Sequence, residues 1–384
     1  MSNAVLVTGA TGFVGRHFVV TLLENYPTAV AICLARSHGH MTAADRVLAS
    51  LEKACDDNCC SQVFEGIRDR VITIDANIVS PDSIGHAQVL ERVKYLKPSQ
   101  VWHCAASVAF ADGPTSNVWE TNILGLRNIL QVAQAVGVTK FNYVSTAYVA
   151  GSMMGTIPER FHEEQAAFNN IYERSKHQAE LITRQFAQQY GMRFRILRPS
   201  IVVGHSRTFK SSSPNGFYQV VNALDRCLCG ISCKHPQHFM KHSLKFPFDR
   251  DANLDCIPID LLSNYLVTLH SEVDDSKCVY HLTSGSPVST YDLMSCVLDV
   301  LGVRQPELVR EKDDMNSIDK TIYRTFGAFR PYMNSFKMFD NNNILNATKQ
   351  VDGRRYLLDV GRFRDLTRAY LASRDSVQPQ VCAV

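Results

Sequence analysis

The stretch Thr8-Gly9-Ala10-Thr11-Gly12-Phe13-Val14-Gly15-Arg16 lies near the start of the chain and decides its fold. Apolar residues 4–7 before it are typical of a buried parallel strand, and residues 14–23 after it predict a helix. The first glycine allows a tight turn, the second lets backbone approach a pyrophosphate, and the third lets the helix pack close to the strand. An ordinary strand–turn–helix joint is the alternative, but the strand before and the helix after favour a dinucleotide site. The predicted cofactor-binding residues here are Gly9, Thr11, Gly12, Phe13, Val14 and Gly15.

The residues after the second predicted strand, at 30–34, indicate which dinucleotide binds. NAD-selective sites usually have an acidic residue there, which accepts a hydrogen bond from the ribose 2′-hydroxyl. This chain has Arg36 instead, and a planar guanidinium suits a 2′-phosphate. Arg46, at the start of the next predicted helix, is a second phosphate candidate, although a solvated helix face is its alternative role. We therefore predict NADPH as the cofactor.

The alternation of strand and helix continues to about residue 205, with further strands predicted at 71–74 and 141–144. This order predicts an α/β fold, a doubly wound parallel sheet of Rossmann type, with a smaller, mostly helical C-terminal lobe. The predicted NADP-binding domain is 1–205 with a return segment at about 251–272, and the substrate-binding lobe and lid are 206–250 and 273–384.

A tyrosine and a lysine lie four residues apart on a helix predicted over residues 172–189, which puts both side chains on one face. A lysine ammonium near Tyr172 favours the phenolate, so Lys176 is expected to lower the pKa of this tyrosine. Thr146 follows the strand at 141–144 and can donate a hydrogen bond to the same substrate oxygen. Strand-end capping is the alternative role, and it suits Ser145 better than Thr146. The predicted catalytic set for hydride transfer is Thr146, Tyr172 and Lys176, and the last two also contact the cofactor.

With these motifs, the chain resembles the extended short-chain dehydrogenase/reductase family from residue 4 to about residue 290. Four more segments carry the resemblance: 102–108 (Trp-His-Cys-Ala-Ala-Ser-Val), 120–125 with Asn122, 197–204 (Leu-Arg-Pro-Ser-Ile-Val-Val-Gly) and 256–260. In this family the small residues of the first segment flank the cofactor, and the third segment lies beside the nicotinamide. The resemblance therefore implies that Ala105, Ala106, Pro199 and Ile201 also contact the cofactor.

One branch of that family is most similar. Residues 33–36 (Cys-Leu-Ala-Arg) followed by 44–51 (Ala-Asp-Arg-Val-Leu-Ala-Ser-Leu) look like thioester reductases, fatty acyl-CoA reductases and carboxylic acid reductases. The resemblance implies NADPH-dependent reduction of an acyl thioester to an aldehyde, with reduction on to the alcohol left open. The chain departs from the branch at Ala76-Asn77-Ile78, where Gly-Asp-Leu is usual. Asn77 can still hydrogen-bond an adenine, so Asn77 and Ile78 are kept as predicted cofactor contacts.

The acyl thioester is expected to arrive as acyl-CoA or on a separate acyl or peptidyl carrier protein, since no adenylation or carrier segment is recognised in the sequence. Three other functions stay open. One is an NAD(P)-dependent alcohol/ketone dehydrogenase or sugar-nucleotide epimerase of the same family. The second is an NADPH-binding redox sensor or scaffold, against which the complete catalytic set argues. The third is a nucleic-acid-binding regulator, which the near-neutral charge disfavours.

The composition is typical of a cytoplasmic enzyme. The chain has 384 residues, a net charge of +3 and 20% charged residues, so it can bury a large core and is not predicted to bind nucleic acid. No run approaches the roughly 20 apolar residues of a membrane span, and the early strand leaves no room for a signal peptide. The 12 cysteines, several at core-like positions, suggest a reducing compartment, and no metal is predicted because none of their spacings completes a four-ligand set. The sequence does not choose between monomer and dimer.

Two later regions have a candidate role in substrate binding. Residues 205–250 contain seven Lys or Arg against two Asp, a net charge of +5, which predicts either a solvated lid or an electropositive mouth for a phosphorylated substrate arm. Segment 210–216, with three serines, a proline, an asparagine and a glycine, is predicted to break the strand–helix alternation and to form the junction with the first domain. The aromatic residues and methionine of 331–333 and 339–341 are candidates for an acyl tunnel, although core packing is the commoner cause of such a pattern.

Overall fold

The computed structural model describes residues 4–110, 117–162, 167–235, 237–271, 276–349 and 357–377. Its strands, in chain order, are β1 Ala4–Thr8, β2 Val30–Ala35, β3 Val71–Asp75, β4 Gln100–His103, β5 Lys140–Val144, β6 Gly155–Ile157, β7 Arg193–Pro199, β8 Ile201–Val203, β9 Lys245–Phe246, β10 Asn253–Leu254, β11 Cys256–Pro258, β12 Val279–Leu282, β13 Val288–Ser289, β14 Glu307–Leu308 and β15 Lys337–Phe339.

The α-helices follow the same order along the chain. They are α1 Phe13–Asn25, α2 Ala43–Asp57, α3 Ser61–Ile67, α4 Pro81–Ile84, α5 Ala87–Leu96, α6 Gly125–Ala135, α7 Ile171–Tyr190, α8 Phe217–Lys234, α9 His238–Lys241, α10 Ile259–Ser271, α11 Thr290–Val300, α12 Ser317–Thr325, α13 Asn342–Ala347 and α14 Val360–Val377. One π-helical turn, Glu120–Leu124, precedes α6, and short 3-10 turns include Ala147–Ala150 and Gly327–Asn334.

Seven strands form one sheet in the order β12-β7-β5-β4-β1-β2-β3, and every neighbouring pair is parallel. The chain runs outward from β1 to β3 and then returns to fill the other side of β1, which is the doubly wound arrangement. This confirms the predicted α/β fold. All strands therefore end at the same edge of the sheet, where ligands of such folds bind.

The central strand shows why this sheet is covered on both faces. All residues of β1 are buried, and alternate side chains of β1 point to opposite faces. Val5 and Val7 belong to one apolar cluster, with α1 and α10, and Leu6 belongs to another, with α6 and α7. Because α10 packs on α1, the chain after residue 251 returns to the first domain.

The C-terminal part has its own apolar cluster, formed mainly by side chains of α8, α11, α12 and α14. Cys256–Pro258 does not join the large sheet. It pairs with Ile201–Val203 in a separate two-stranded parallel ladder that links the two parts. This mostly helical part agrees with the predicted C-terminal lobe, while the predicted domain boundaries stay a prediction.

Among the residues that the structure describes, no helix is both long and apolar enough to cross a membrane. These residues also contain no group of three or more histidine, cysteine, aspartate or glutamate side chains arranged to hold a metal ion.

A buried ion pair joins β7 to α7. The Glu180 carboxylate accepts hydrogen bonds from Arg198 Nε at 2.9 Å and Nη2 at 2.7 Å, and from Ser145 Oγ at 2.6 Å. Arg198 Nη1 donates to the Arg160 carbonyl at 3.0 Å and lies within 3.3 Å of a ring nitrogen of His281. Both charged side chains are essentially inaccessible to solvent, so the attraction between them is needed to offset the cost of removing each charge from water.

Glu180→Ala is expected to lower the free energy of unfolding by about 3–5 kcal/mol, because it leaves the Arg198 charge buried and unpaired. Denaturant titration measures this change. The matched control is Glu65→Ala, which removes an exposed pair with Arg68 and should change stability by less than about 0.5 kcal/mol. Equal effects of the two substitutions would contradict the structural role of the buried pair.

Candidate active site

A cavity of about 320 Å³ lies at the carboxyl edge of the sheet. Gly12 and Gly15 of the glycine-rich turn line one part of it, and Leu293, Met294 and Met333 of the C-terminal lobe line another. The cavity therefore joins the predicted cofactor site to the predicted substrate lobe, and its lining is mostly apolar.

The structure divides the predicted site residues into two groups. Those that line the cavity are Gly12, Phe13, Val14, Gly15, Ala106, Thr146, Tyr172, Lys176, Pro199 and Ile201. Those that lie outside its lining are Gly9, Thr11, Arg36, Arg46, Asn77, Ile78 and Ala105. The second group follows the carboxyl ends of β1 to β4, along the side where the adenosine half of a dinucleotide would extend.

The glycine-rich turn is held by two close approaches of backbone. Gly9 has a φ of +76°, and a Cβ on this residue would lie 2.5 Å from the amide nitrogen of Ala105. A Cβ on Gly15 would lie 2.2 Å from the Gly9 carbonyl oxygen. Only glycine fits at these two positions, whereas Gly12 lines the cavity at the start of α1. This geometry fits the predicted contact with a pyrophosphate at the start of α1.

Thr146 and Tyr172 come together across the cavity although they are far apart in sequence. Both line the cavity, and the Thr146 hydroxyl lies near that of Tyr172. Thr146 also accepts from the Tyr148 amide at 3.3 Å and so caps the turn Ala147–Ala150. The expectation that Ser145 is the capping residue was wrong, because its hydroxyl instead donates to Glu180.

Burial controls the titration of the tyrosine. The pKa of Tyr172 is raised above its ordinary value, first by burial and then by the neighbouring Glu173 carboxylate, while the nearby Thr146 hydroxyl opposes the rise. The prediction that Lys176 lowers the pKa of Tyr172 is therefore wrong. The physical reason is that Lys176 is itself desolvated, which lowers its own pKa to about 7 and weakens its charge at neutral pH.

Lys176 points into the protein from the same face of α7. Its Nζ donates to the Val144 carbonyl at 2.7 Å and lies 4.7 Å from the centre of the Tyr143 ring. These contacts hold the amine beside the cavity, at the end of β5.

Asn122 connects the fourth strand to the helix that carries Tyr172. Its side chain accepts from the Ser107 amide at 2.8 Å and donates to the Ser107 carbonyl at 3.0 Å. Its amide also donates to Ser175 Oγ at 2.9 Å. Asn122 lies in the π-helical turn Glu120–Leu124, a local irregularity that often occurs at functional sites. These bonds fix α7 relative to the cofactor side of the cavity.

Two arginines converge at the carboxyl end of β2. The guanidinium of Arg46 donates to the carbonyl of Arg36, whose own side chain is exposed. Ser37 between them donates to the Asp75 carboxylate through both its amide, at 3.2 Å, and its hydroxyl, at 2.5 Å. The Arg46 guanidinium is therefore held beside the backbone of Arg36, and contact of either side chain with a 2′-phosphate stays a prediction.

The third strand ends in a tight turn. Asn77 Oδ1 accepts from the backbone amide of Val79 at 3.3 Å, and the backbone amide of Asn77 donates to Ser83 Oγ at 2.9 Å. The carbonyl of Ile78 accepts from Asn128 at 2.7 Å. These bonds shape the loop after β3, and contact of Asn77 and Ile78 with an adenine stays a prediction.

The breaker-rich segment 210–216 forms part of the cavity wall, through Ser213, Asn215 and Gly216. Ser212 next to them is held against the first domain, because its hydroxyl donates to the Asp57 carboxylate and accepts from Arg16. The segment therefore lies across the cofactor side of the cavity. Whether the basic residues around it contact a phosphorylated substrate arm stays a prediction.

Aromatic side chains form a wall of the cavity that the sequence revealed only in part. Tyr332 and Met333 line the cavity, as proposed for residues 331–333, but Phe339 is not in the lining and packs behind it against Tyr148. Phe110 and Phe329 also line it, and no motif in the sequence identified them. They were missed because they belong to irregular segments, whose relative position depends on tertiary packing.

A family model described as "Male sterility protein", an NAD-binding family, matches residues 7–266. The chain is 28% identical over 298 residues to "Non-canonical nonribosomal peptide synthetase FrzA" from Cladobotryum sp., which covers 75% of this chain and 27% of that protein. It is 24% identical over 318 residues to "Fatty acyl-CoA reductase 2" from Homo sapiens, covering 74% of this chain and 58% of the relative. The chain thus spans less than two thirds of either relative.

A solved structure titled "The crystal structure of the terminal R domain from the myxalamid PKS-NRPS biosynthetic pathway" is also similar. It has a TM-score of 0.74 at 21% sequence identity and covers 98% of this chain and 92% of that one. This likeness confirms the fold, including the arrangement of the C-terminal part.

The buried Lys176 predicts a specific dependence of stability on pH. Its pKa is lowered to about 7 in the folded chain, so between pH 7 and 10 the unfolded chain holds one more proton and stability rises with pH. Lys176→Met removes this contribution. The difference in unfolding free energy between the native protein and Lys176→Met should therefore change by roughly 1 kcal/mol per pH unit from pH 7.5 to 9.5. Urea titrations at three pH values measure it. A constant difference would show that this lysine keeps its ordinary pKa.

Proposed function

The chain belongs to the male sterility protein family, a family of NAD(P)-dependent oxidoreductases, and on this premise we propose that it reduces an acyl thioester with NADPH. The product of the first reduction is an aldehyde, and a second round on the aldehyde gives the alcohol. The relatives that are named as a fatty acyl-CoA reductase and a nonribosomal peptide synthetase support a thioester as the substrate.

One observation carries the proposal. Thr146, Tyr172 and Lys176 line the same apolar cavity as Gly12 and Gly15, so proton-donating groups and the cofactor turn face one enclosed space. The hydroxyls of Thr146 and Tyr172 lie near each other in that space. A carbonyl oxygen bound there would have two donors, while its carbon would face the side where the nicotinamide binds.

The chain's own residues have these roles in the reaction. Thr146 and Tyr172 donate hydrogen bonds to the thioester carbonyl oxygen and stabilise the negative charge that develops on it. NADPH, when bound, supplies the hydride. Tyr172 then gives its proton to the oxygen, and its raised pKa keeps the phenol protonated at neutral pH until negative charge develops on the substrate. The resulting hemithioacetal releases the free thiol and leaves the aldehyde. Lys176 orients the cofactor ribose.

The residues for the cofactor fit a dinucleotide with a 2′-phosphate. The glycine-rich turn brings the N-terminus of α1 to the cavity, where it suits the pyrophosphate, and Pro199 and Ile201 in the cavity lining are assigned to the nicotinamide. Arg36 and Arg46 supply two positive charges at the ribose of the adenosine half. These charges are the reason for proposing NADPH rather than NADH.

The thioester reaches the cavity as acyl-CoA or on a separate carrier protein. Both donors present the acyl group on the same phosphopantetheine arm. We therefore propose that the cavity receives the acyl group on a phosphopantetheine arm, and experiment decides whether CoA or a carrier protein presents it.

The test is consumption of NADPH with thioesters of acyl-CoA, of acyl carrier protein and of N-acetylcysteamine, with carbonyl products trapped as oximes and identified by mass. Formation of aldehyde or alcohol with release of one thiol per acyl group supports the proposal. Oxidation of an alcohol or interconversion of sugar nucleotides, without reduction of any thioester, would overturn it in favour of a dehydrogenase or epimerase.

Tyr172→Phe is expected to lower kcat for thioester reduction by at least about 100-fold, because it removes the general acid. The affinity for NADPH, measured by fluorescence titration, should stay within a few-fold of the native value. Tyr190→Phe, on the exposed end of the same helix, is the control and should leave kcat unchanged. Turnover near the native rate in Tyr172→Phe would exclude this tyrosine as the proton donor.

Arg36→Asp is expected to weaken NADPH binding far more than NADH binding, by at least about tenfold in the ratio of dissociation constants, since a charged hydrogen bond to phosphate contributes roughly 1.5–3 kcal/mol. Titration of both dinucleotides measures the ratio. Arg68→Asp, at an exposed position outside the site, is the control with the same charge change. An unchanged ratio in Arg36→Asp would remove this residue from the 2′-phosphate site.

A further inference from the structure

Four aromatic side chains that line the cavity form a continuous surface, which we call the aromatic wall: Phe110, Tyr148, Phe329 and Tyr332. The ring of Phe110 lies 5.0 Å from Phe329 and 6.1 Å from Tyr332, and Tyr148 lies 5.2 Å from Tyr332, measured between ring centres. The wall continues directly to the proposed proton donor, since the ring of Phe110 is 6.1 Å from that of Tyr172. An acyl group whose carbonyl meets Tyr172 would therefore contact this wall with its first few carbons.

The Tyr332 hydroxyl has its partners within the protein. It donates to the buried Glu173 carboxylate and accepts from Asn170 Nδ2 at 2.8 Å. The Tyr148 hydroxyl lies near the backbone of Asp255. Tyr332 therefore presents ring carbons rather than its hydroxyl to the cavity.

These bonds also fix the position of the wall relative to the reacting atoms. Glu173 and Asn170 belong to the first turn of α7 and its N-terminal cap, directly beside Tyr172. Tyr332 comes from the turn Gly327–Asn334 of the C-terminal lobe. The lobe is therefore attached to the helix that carries Tyr172 through one aromatic side chain, and the wall keeps a set distance from the carbonyl site.

The rings of the wall pack on one another and do not surround a gap. An aromatic cage, in which rings surround an open space, binds a quaternary ammonium ion. Rings that pack on one another instead offer their faces and edges to a bound aromatic ring. The lobe side of the lining also has aliphatic side chains, including Leu254, Leu293 and Met294, beside the ring of Phe217 and the neutral polar side chains of Asn215, Gln219 and Thr290. Among the residues that line the cavity, the ionisable amine of Lys176 is the one basic group, and it is proposed to serve the cofactor.

We propose that the aromatic wall makes this enzyme selective for a neutral acyl group that carries an aromatic ring close to its carbonyl. The inference rests on the proposed function, because it assumes that the thioester carbonyl binds at Thr146 and Tyr172. Aromatic pairs contribute more binding free energy than the apolar area they bury accounts for. A planar ring that contacts the wall should therefore bind more tightly than a saturated ring of the same carbon number.

The experiment compares phenylacetyl and cyclohexylacetyl thioesters of N-acetylcysteamine. Both have the same number of carbons, and in neither is the carbonyl conjugated with the ring, so their intrinsic reactivities match. Hydrophobicity alone favours the cyclohexyl compound. We expect kcat/KM to be about 3- to 10-fold higher for the phenylacetyl thioester, the factor that a ring–ring contact supplies. The difference should lie mainly in KM.

Phe329→Leu and Phe110→Leu are the variants that test the wall, since each keeps an apolar side chain but removes a ring. Each should bring the ratio of the two kcat/KM values to within about 2-fold of unity, or below it. Phe339→Leu is the control, because this ring packs on Tyr148 behind the wall and is not in the cavity lining. It should keep the native ratio, and melting temperatures verify that all variants are folded.

The outcomes separate this inference from the proposed function. Reduction of both thioesters with a native ratio at or below unity overturns the inference and leaves the function standing. If the native enzyme reduces neither thioester, the proposed function fails with these substrates, and the wall is then tested by titrating 2-phenylethanol against 2-cyclohexylethanol in the presence of NADP⁺. Tighter binding of the phenyl compound that Phe329→Leu abolishes supports the wall, and equal binding of the two overturns it.

Discussion

The close approach of α1 to the end of β1 is the constraint on which the site depends. The backbone of Gly15 lies against the Gly9 carbonyl, and Gly9 lies against the backbone of Ala105 after β4, with no space for a Cβ at either glycine. These contacts bring the start of a helix to the carboxyl edge of two adjacent strands. They leave a groove at that edge, with free backbone donors at one end, and the rest of the cavity is built on it.

Helix α7 then connects this groove to every other part of the site. Its Ser175 is bonded to Asn122, its Glu180 to Ser145 and Arg198, and its Glu173 to Tyr332 of the C-terminal lobe. Glu173 and Glu180, seven residues apart, lie on one side of the helix, and Ser175 lies on the opposite side. The face between them carries Tyr172 and Lys176 and meets the cavity, so polar contacts on both sides hold these two side chains in position.

Burial also determines how these groups titrate. The same desolvation raises the pKa of Tyr172 and lowers the pKa of Lys176, since each shift disfavours the charged form. Both groups therefore tend to be neutral inside the cavity. This state suits a reaction in which the phenol must donate a proton, and in which negative charge appears on the substrate oxygen and not beforehand on the enzyme.

The sequence by itself determined the elements whose signal is local. The glycine spacing at Gly9, Gly12 and Gly15 predicted the turn, the alternation of strand and helix predicted the sheet, and the four-residue spacing of Tyr172 and Lys176 predicted their shared face. These predictions succeeded because backbone sterics and helical periodicity act over a few residues. Only the tertiary structure decided the pKa of Tyr172, the capping role of Thr146 and the aromatic wall. Desolvation and ring packing depend on segments as distant as Phe110 and Tyr332, which no local pattern relates to one another.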